Sequence, residues 1–125
     1  MNENEISKIV LDIAFKLHTD VGPGLLESAY EAALAHDLIE NGLLVETQVP
    51  VPFVYKDVKL EVGYRIDILI NKIVVLEIKS VEKIAAVHFA QTLTYLKLAD
   101  KKLGLLINFN TKHLKDGIHR IVNNL

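Results

Sequence analysis

Asp67, Glu77 and Lys79 interrupt the most aliphatic part of the chain, the stretch RIDILINKIVVLEIKS from Arg65 to Ser80. Glu77 and Lys79 are two apart and therefore share one face of a strand. Whether Asp67 joins them depends on the hairpin in between. A two-residue turn at Asn71-Lys72 pairs Asp67 with Leu76 and sends it to the face opposite Glu77. A three-residue loop, Asn71 to Ile73, pairs Asp67 with Glu77 and brings all three groups together. We expect the three-residue loop. Two carboxylates in register repel, and burying charges without partners costs several kcal/mol each. A divalent cation between them reverses the sign of that interaction, and oxygen donors without histidine or thiolate suit Mg²⁺ or Mn²⁺ better than zinc. Lys79 then faces a phosphate held by the metal. The plainer alternative is a fraying strand end with its polar face in water and Asp67 paired to Arg65 or Lys79.

Two further sets of polar residues have helical spacing. GLLESAY places Gly24, Glu27 and Tyr30 around a helix start. With Gly24 as N-cap, Glu27 takes the third helical position, where a carboxylate favours the positive end of the dipole or closes a capping box. HFAQTLTYL puts His88, Gln91 and Tyr95 on one helix face, bordering an expected buried stripe of Phe89, Leu93 and Leu96. His18, His36, His113 and His119 show no paired ligand spacing. No Ser-His-Asp set is supported by local context, and GPG lacks the Lys-Ser/Thr of a phosphate loop.

The elements that must position these groups follow from periodicity. Ile6, Ile9, Val10, Ile13, Ala14 and Leu17 predict a first amphipathic helix, broken by DVGPG. A second runs from about Leu25 to Asn41 and stops at Gly42. From Val45 to Tyr55 the period is two, with Val45, Thr47, Val49, Val51, Phe53 and Tyr55 on one face; Pro50 and Pro52 put this strand at a sheet edge. After a turn at YKDV comes a strand from Val58 to Ile70, bent near Gly63, and then one from Ile73 to Ile78. A helix over Ile84 to Ala99, a strand over Leu103 to Phe109 and a closing helix carrying Leu114, Ile118, Ile121, Val122 and Leu125 complete the order α, α, β, β, β, α, β, α. The strands flanking the third helix form a crossover unit and should be parallel.

At 125 residues the chain suits one domain, residues 1–125, with half its residues hydrophobic and 24 % charged. The absence of cysteine excludes disulfides and thiolate chemistry. No apolar run approaches the ~20 residues of a membrane span, and the polar, acidic start MNENEISK is unlike a signal peptide, so a cytoplasmic location is expected. Net charge is −2, unevenly spread. Residues 1–78 hold 13 acidic and 6 basic side chains, a balance of −7, and residues 79–125 hold 3 and 8, a balance of +5. A basic face from the C-terminal half could meet phosphates, although scattered solvating lysines explain the count equally well.

Taken together, Gly24-x-x-Glu27-x-x-Tyr30, GYRID ending at Asp67, Glu77-x-Lys79 and Gln91-x-x-x-Tyr95 resemble the GxxExxY family of the PD-(D/E)XK nuclease superfamily, over nearly the whole chain from about Ile6. The resemblance implies a restriction-endonuclease-like αβββαβ core, a mixed four-stranded sheet flanked by helices, with extra N-terminal and C-terminal helices. It implies Mg²⁺ or Mn²⁺ held by Asp67 and Glu77, the Ile78 carbonyl as a further ligand, and Glu27 completing the acidic cluster. Lys79 positions the attacking water or stabilises charge on the phosphate. Gln91 resembles the glutamine that orients the lysine or substrate, with Tyr95 and Tyr30 positioning substrate. The chemistry implied is hydrolysis of nucleic acid, DNA before RNA, in repair, recombination or defence. No appended domain is expected to supply specificity, so a homodimer or a partner is expected to build the groove.

Two other readings stay open. A non-catalytic nucleic-acid-binding or assembly module would bind through the basic half without metal. A purely structural protein would hold the polar cluster as an ion-pair network, so that Asp67→Asn lowers stability, where the nuclease reading expects unchanged or raised stability without metal.

Overall fold

The aliphatic strands assemble because each has a face that only another layer can keep from water. The computed structural model describes residues 1–125. In chain order the elements are α1 (Glu3–Val21), α2 (Glu27–Glu40), β1 (Val45–Pro50), β2 (Phe53–Tyr55), β3 (Val58–Leu60), β4 (Arg65–Ile70), β5 (Val74–Lys79), α3 (Ala86–Ala99), β6 (Leu103–Asn108), a 3-10 turn (Leu114–Gly117) and β7 (Ile118–Val122). The main sheet runs β1-β4-β5-β6-β7 and is mixed, as expected for a restriction-endonuclease-like fold. Only β5 and β6 are parallel, joined through α3 as the crossover predicts.

Helices cover both faces. Ile6, Val10, Ile13, Ala14 and Leu17 of α1 and Leu34 and Leu38 of α2 pack against Ile68, Leu76, Ile78, Leu105 and Ile107 in the larger core cluster. Tyr95 and Leu96 of α3 close the other face over Val51, Ile66, Leu69 and Val75. A fully buried Leu or Ile contributes roughly 1.5–3 kcal/mol, so the larger cluster dominates cohesion. The α1 start is a capping box: the Glu5 amide donates to Asn2 Oδ1 at 2.9 Å and the Asn2 amide donates to Glu5 Oε1 at 3.0 Å.

Four expectations need correction. The closing helix is instead the edge strand β7, so the sheet has five strands rather than four. All six residues of β6 are buried, and a buried strand cannot leave one side of its ladder unpaired; β7 supplies those partners, from Leu103↔Val122 to Ile107↔Ile118. The chain reaches that position over Gly117, where a Cβ would stand 2.1 Å from the Asn108 carbonyl oxygen. The edge strand with its prolines lies at the edge, but it ends at Pro50, and Phe53–Leu60 fold away as a separate β2–β3 hairpin. The positive φ of Lys56 and Asp57 (49° and 62°) makes the tight turn.

The N-cap of α2 is Leu26, not Gly24, which makes Glu27 the first helical residue rather than the third. The buried residues of α3 are Thr92, Tyr95 and Leu96 rather than a Phe89-Leu93-Leu96 stripe, because the helix meets β6 over Gly104, against which Thr92 and Leu96 pack.

A carboxylate pair at a strand fork

The β4–β5 hairpin pairs Ile70↔Val74, Leu69↔Val75 and Ile68↔Leu76 around the loop Asn71–Ile73, whose first two residues have φ of 50° and 57°. That register sets Asp67 opposite Glu77, the arrangement the three-residue loop predicts. Pairing between β4 and β5 stops there. β4 goes on pairing with β1 to Pro50↔Arg65, and β5 with β6 to Lys79↔Asn108, so the two central strands part. Inside the fork the two carboxylates replace the missing ladder. The Asp67 amide donates to Glu77 Oε2 at 2.9 Å, and the Ile78 amide donates to Asp67 Oδ2 at 2.8 Å. Each side chain thereby satisfies a backbone donor on the strand opposite.

The pair is electrostatically uncomfortable. Glu77 is 4 % exposed. Its carboxyl is pushed up to about 8, first by burial and then by the Asp67 charge, against the opposing pull of the Asp67 amide and the Lys79 cation. Neither carboxylate has a salt-bridge partner; the ion pairs of the chain are His36 with Asp37 and Glu40, and Lys72 with Glu46. The expected Asp67 pairing with Arg65 or Lys79 in the structural reading is therefore not formed.

Gln91 and Tyr95 stand beside the fork. Gln91 Nε2 lies 3.1 Å from the Tyr95 hydroxyl, and that hydroxyl is pushed up by burial and then by the charge of Glu77. The Tyr64 ring meets the Tyr95 ring edge-on at 5.8 Å. His88, third of the spaced trio, serves the helix start, its Nδ1 accepting the Ala85 amide at 3.0 Å.

Tyr30 does not reach the fork. Its ring is fully buried and stacks on Phe109 at 4.6 Å. Its hydroxyl donates to the Gly22 carbonyl at 2.5 Å and accepts the Leu25 amide at 3.2 Å, while Ser80 Oγ donates to the Leu25 carbonyl at 2.7 Å. The tyrosine and the serine thus fasten the Gly22–Leu26 loop to the end of β5, and that loop delivers Glu27 to the start of α2. Asn108, buried in β6, clamps the next segment by bonding both the Val81 carbonyl (2.9 Å) and the Val81 amide (3.1 Å).

Two site neighbours escaped the sequence reading. Gln48 has φ 51° inside β1, faces Asp67 in the register, and its Nε2 lies 2.9 Å from Glu31 Oε1 and 3.4 Å from Asp67 Oδ1. The expected single-faced alternation from Val45 to Tyr55 breaks at this residue: Val45 packs on the α1–α2 side and Val49 on the α3 side. Glu31 is pushed up by burial first and then by Asp67, with a smaller push from Glu27. Glu27 and Glu31 are four apart in the helix, but a surface helix carries many such pairs, so the spacing gives no signal.

The donor set fits a hard dication. Asp67 Oδ1 and Glu77 Oε1 are not used by the two amides, and both are oxygen donors, as is the Ile78 carbonyl. No three acidic, histidine or cysteine side chains close on one point. Mg²⁺ is commonly held by one or two carboxylates while keeping several waters, so an open site of this kind suits it.

A family model for the PD-(D/E)XK nuclease superfamily matches residues 4–121. No curated protein and no solved structure is significantly similar to the chain.

Proposed function

Because the chain belongs to the PD-(D/E)XK nuclease superfamily, we propose that it is a Mg²⁺- or Mn²⁺-dependent nuclease of the GxxExxY type that hydrolyses phosphodiester bonds in DNA, with residues 1–125 forming one catalytic domain. The observation that carries this reading is the strand fork, which places Asp67 against Glu77 with Lys79 two residues on and leaves both carboxylates without an ion-pair partner.

Asp67, Glu77 and the Ile78 carbonyl would hold the ion, whose chemistry there would be that of a Lewis acid for the phosphate and its attacking water. Glu27 acts from outside that ligand set, at the end of the loop fixed by Tyr30 and Ser80. Tyr30 is accordingly a positioning residue for the loop rather than a substrate contact. The Lys79 ammonium neutralises charge developing on the phosphate. Gln91, bonded to Tyr95, orients the lysine and the substrate strand. A homodimer, a cytoplasmic location and a role in DNA repair, recombination or defence complete the proposal. Support for the dimer is the apolar face of the β2–β3 hairpin, which the chain itself leaves uncovered.

A second reading, a nucleic-acid-binding module without cleavage, is favoured by the +5 balance of residues 79–125, which needs no metal to act. One experiment separates them: linear, nicked, branched and single-stranded DNA, together with RNA, incubated with Mg²⁺ or Mn²⁺, wild type beside Lys79→Ala. The nuclease reading expects metal-dependent cleavage reduced at least about 100-fold in the variant, the usual scale for losing one charge-stabilising group. Salt-dependent binding with no cleavage on any substrate would leave only the binding module.

A further inference from the structure

The acidic fork poses a difficulty for a polyanionic substrate, since Asp67, Glu77, Glu27 and Glu31 all lie at or near the reacting point. Attraction must come from elsewhere on the same face. A pocket of about 600 Å³ lies between the end of α1 and the segment after β6. Lys112, His113 and Lys115 line one wall and His18, Gly22 and Pro23 another, and no carboxylate is among its lining residues. Both lysines and His113 are exposed, whereas His18 is buried, its Nε2 2.8 Å from the Thr111 carbonyl oxygen. That bond ties the last turn of α1 to the residue preceding Lys112 and so fixes the two walls relative to each other.

The chain connects this pocket to the fork along both walls. Pro23 is two residues from Leu25, whose carbonyl accepts from Ser80, the residue after Lys79. Thr111 is three residues from Asn108, the β6 partner of Lys79, and the Phe109 amide donates to the Lys79 carbonyl at 2.9 Å. At ~3.3–3.6 Å per extended residue, the pocket lies within about 10 Å of chain from the lysine's strand end. Phosphates follow one another every ~3.4 Å of rise along one strand of a duplex, so that span is a few nucleotides. Pocket and fork also share the C-terminal end of the parallel β5–β6 pair, the end at which open α/β sheets bind their ligands.

We propose that the pocket between Gly22–Pro23 and Lys112–Lys115 binds a backbone phosphate of the strand being cut, a few nucleotides from the scissile bond. The assignment rests on the nuclease reading for the identity of the strand, but the anion site itself stands on the pocket's own lining. Lys112 and Lys115 supply the charge. The phosphate held there anchors a strand that the four carboxylates would otherwise repel, so the pocket governs affinity and register while the fork governs the chemical step.

The test compares wild type, Lys112→Ala/Lys115→Ala and a control, Lys101→Ala/Lys102→Ala, whose lysines lie at the opposite end of β6. Binding of a labelled oligonucleotide is followed by fluorescence anisotropy without divalent metal over a range of salt, cleavage is measured with metal, and melting is followed with inorganic phosphate as the bare anion. The pocket variant should bind about tenfold more weakly, lose about one unit of the log K against log salt slope for each lost phosphate contact, and raise KM with kcat retained. The control should keep the wild-type slope. Phosphate should raise the Tm of the wild type and of the control but not of the pocket variant. A pocket variant with wild-type affinity, slope and KM would overturn the proposal while leaving the nuclease reading intact. If the wild type neither binds nor cleaves any nucleic acid, yet phosphate stabilises it through these two lysines, the nuclease reading falls and the anion site stands. Loss of that stabilising effect as well would remove both.

Discussion

Glu77 lies buried in β5, its Oε2 accepting the Asp67 amide from the strand opposite. A carboxylate among β-branched neighbours was readable as costly from the sequence, and burial with Asp67 opposite shows the cost. The folded protein holds the Glu77 proton up to about pH 8, whereas the unfolded chain releases it near the ordinary carboxyl value of 4.5. Between those limits the folded state binds the extra proton, so stability of the metal-free protein falls as pH rises, by a few kcal/mol across the window. Denaturant unfolding at pH 5.5 and pH 8 should show this decline, and Glu77→Gln should flatten it. An equal decline in the variant would place the titration on another group. Asp67→Asn acts in the same direction: it relieves the repulsion while its amide oxygen still accepts the Ile78 amide, so the metal-free Tm should hold or rise, whereas a drop would restore the purely structural reading. Gln48 and Glu31 were not readable in this way. Each looks like an ordinary surface residue until the register sets Gln48 opposite Asp67.

At the scale of elements, local rules predicted what short-range chemistry controls and failed where a distant strand decides. The Asn71–Ile73 loop followed from the need to bring Asp67 and Glu77 onto one side, and its two positive-φ residues supply the geometry. The last segment misled because Leu114, Ile118, Ile121 and Val122 fit helical spacing as well as they fit a strand. Pairing demand from the fully buried β6 overrides that spacing, and nothing local to residues 114–125 reports it. Gly117 is the local mark of the true path, since only a residue without Cβ passes the Asn108 carbonyl so closely. Gly117→Ala should therefore cost about 1–3 kcal/mol by forcing the backbone apart. Because Asn108 also clamps Val81 just past Lys79, the same variant should lower cleavage at temperatures where it remains folded. Wild-type melting and activity would show that the approach can relax without cost.

Across the whole molecule, the surface divides into regions suited to different partners. The acidic fork and the basic pocket beside it address a phosphate chain, whereas the β2–β3 hairpin does not. Its residues Phe53, Tyr55, Val58 and Leu60 share one face, pairing Phe53↔Leu60 and Tyr55↔Val58, and the last three are exposed. None belongs to either core cluster. The charges of residues 53–64 balance, Lys56 and Lys59 against Asp57 and Glu61, so the hairpin has no preference for a polyanion. A lone two-stranded hairpin is marginal in water, and an uncovered apolar face on one is most simply satisfied by the same face of a second copy, as a twofold axis allows. Sedimentation equilibrium should then find a species of twice the chain mass, and Tyr55→Lys/Val58→Lys should shift it to the monomer with little change in core stability, because neither side chain packs on the core. A concentration-independent monomer in the wild type would assign the hairpin no dimer role. If the variant both dissociates and loses cleavage while still binding inorganic phosphate, the second copy completes the substrate groove, and substrate recognition belongs to the pair.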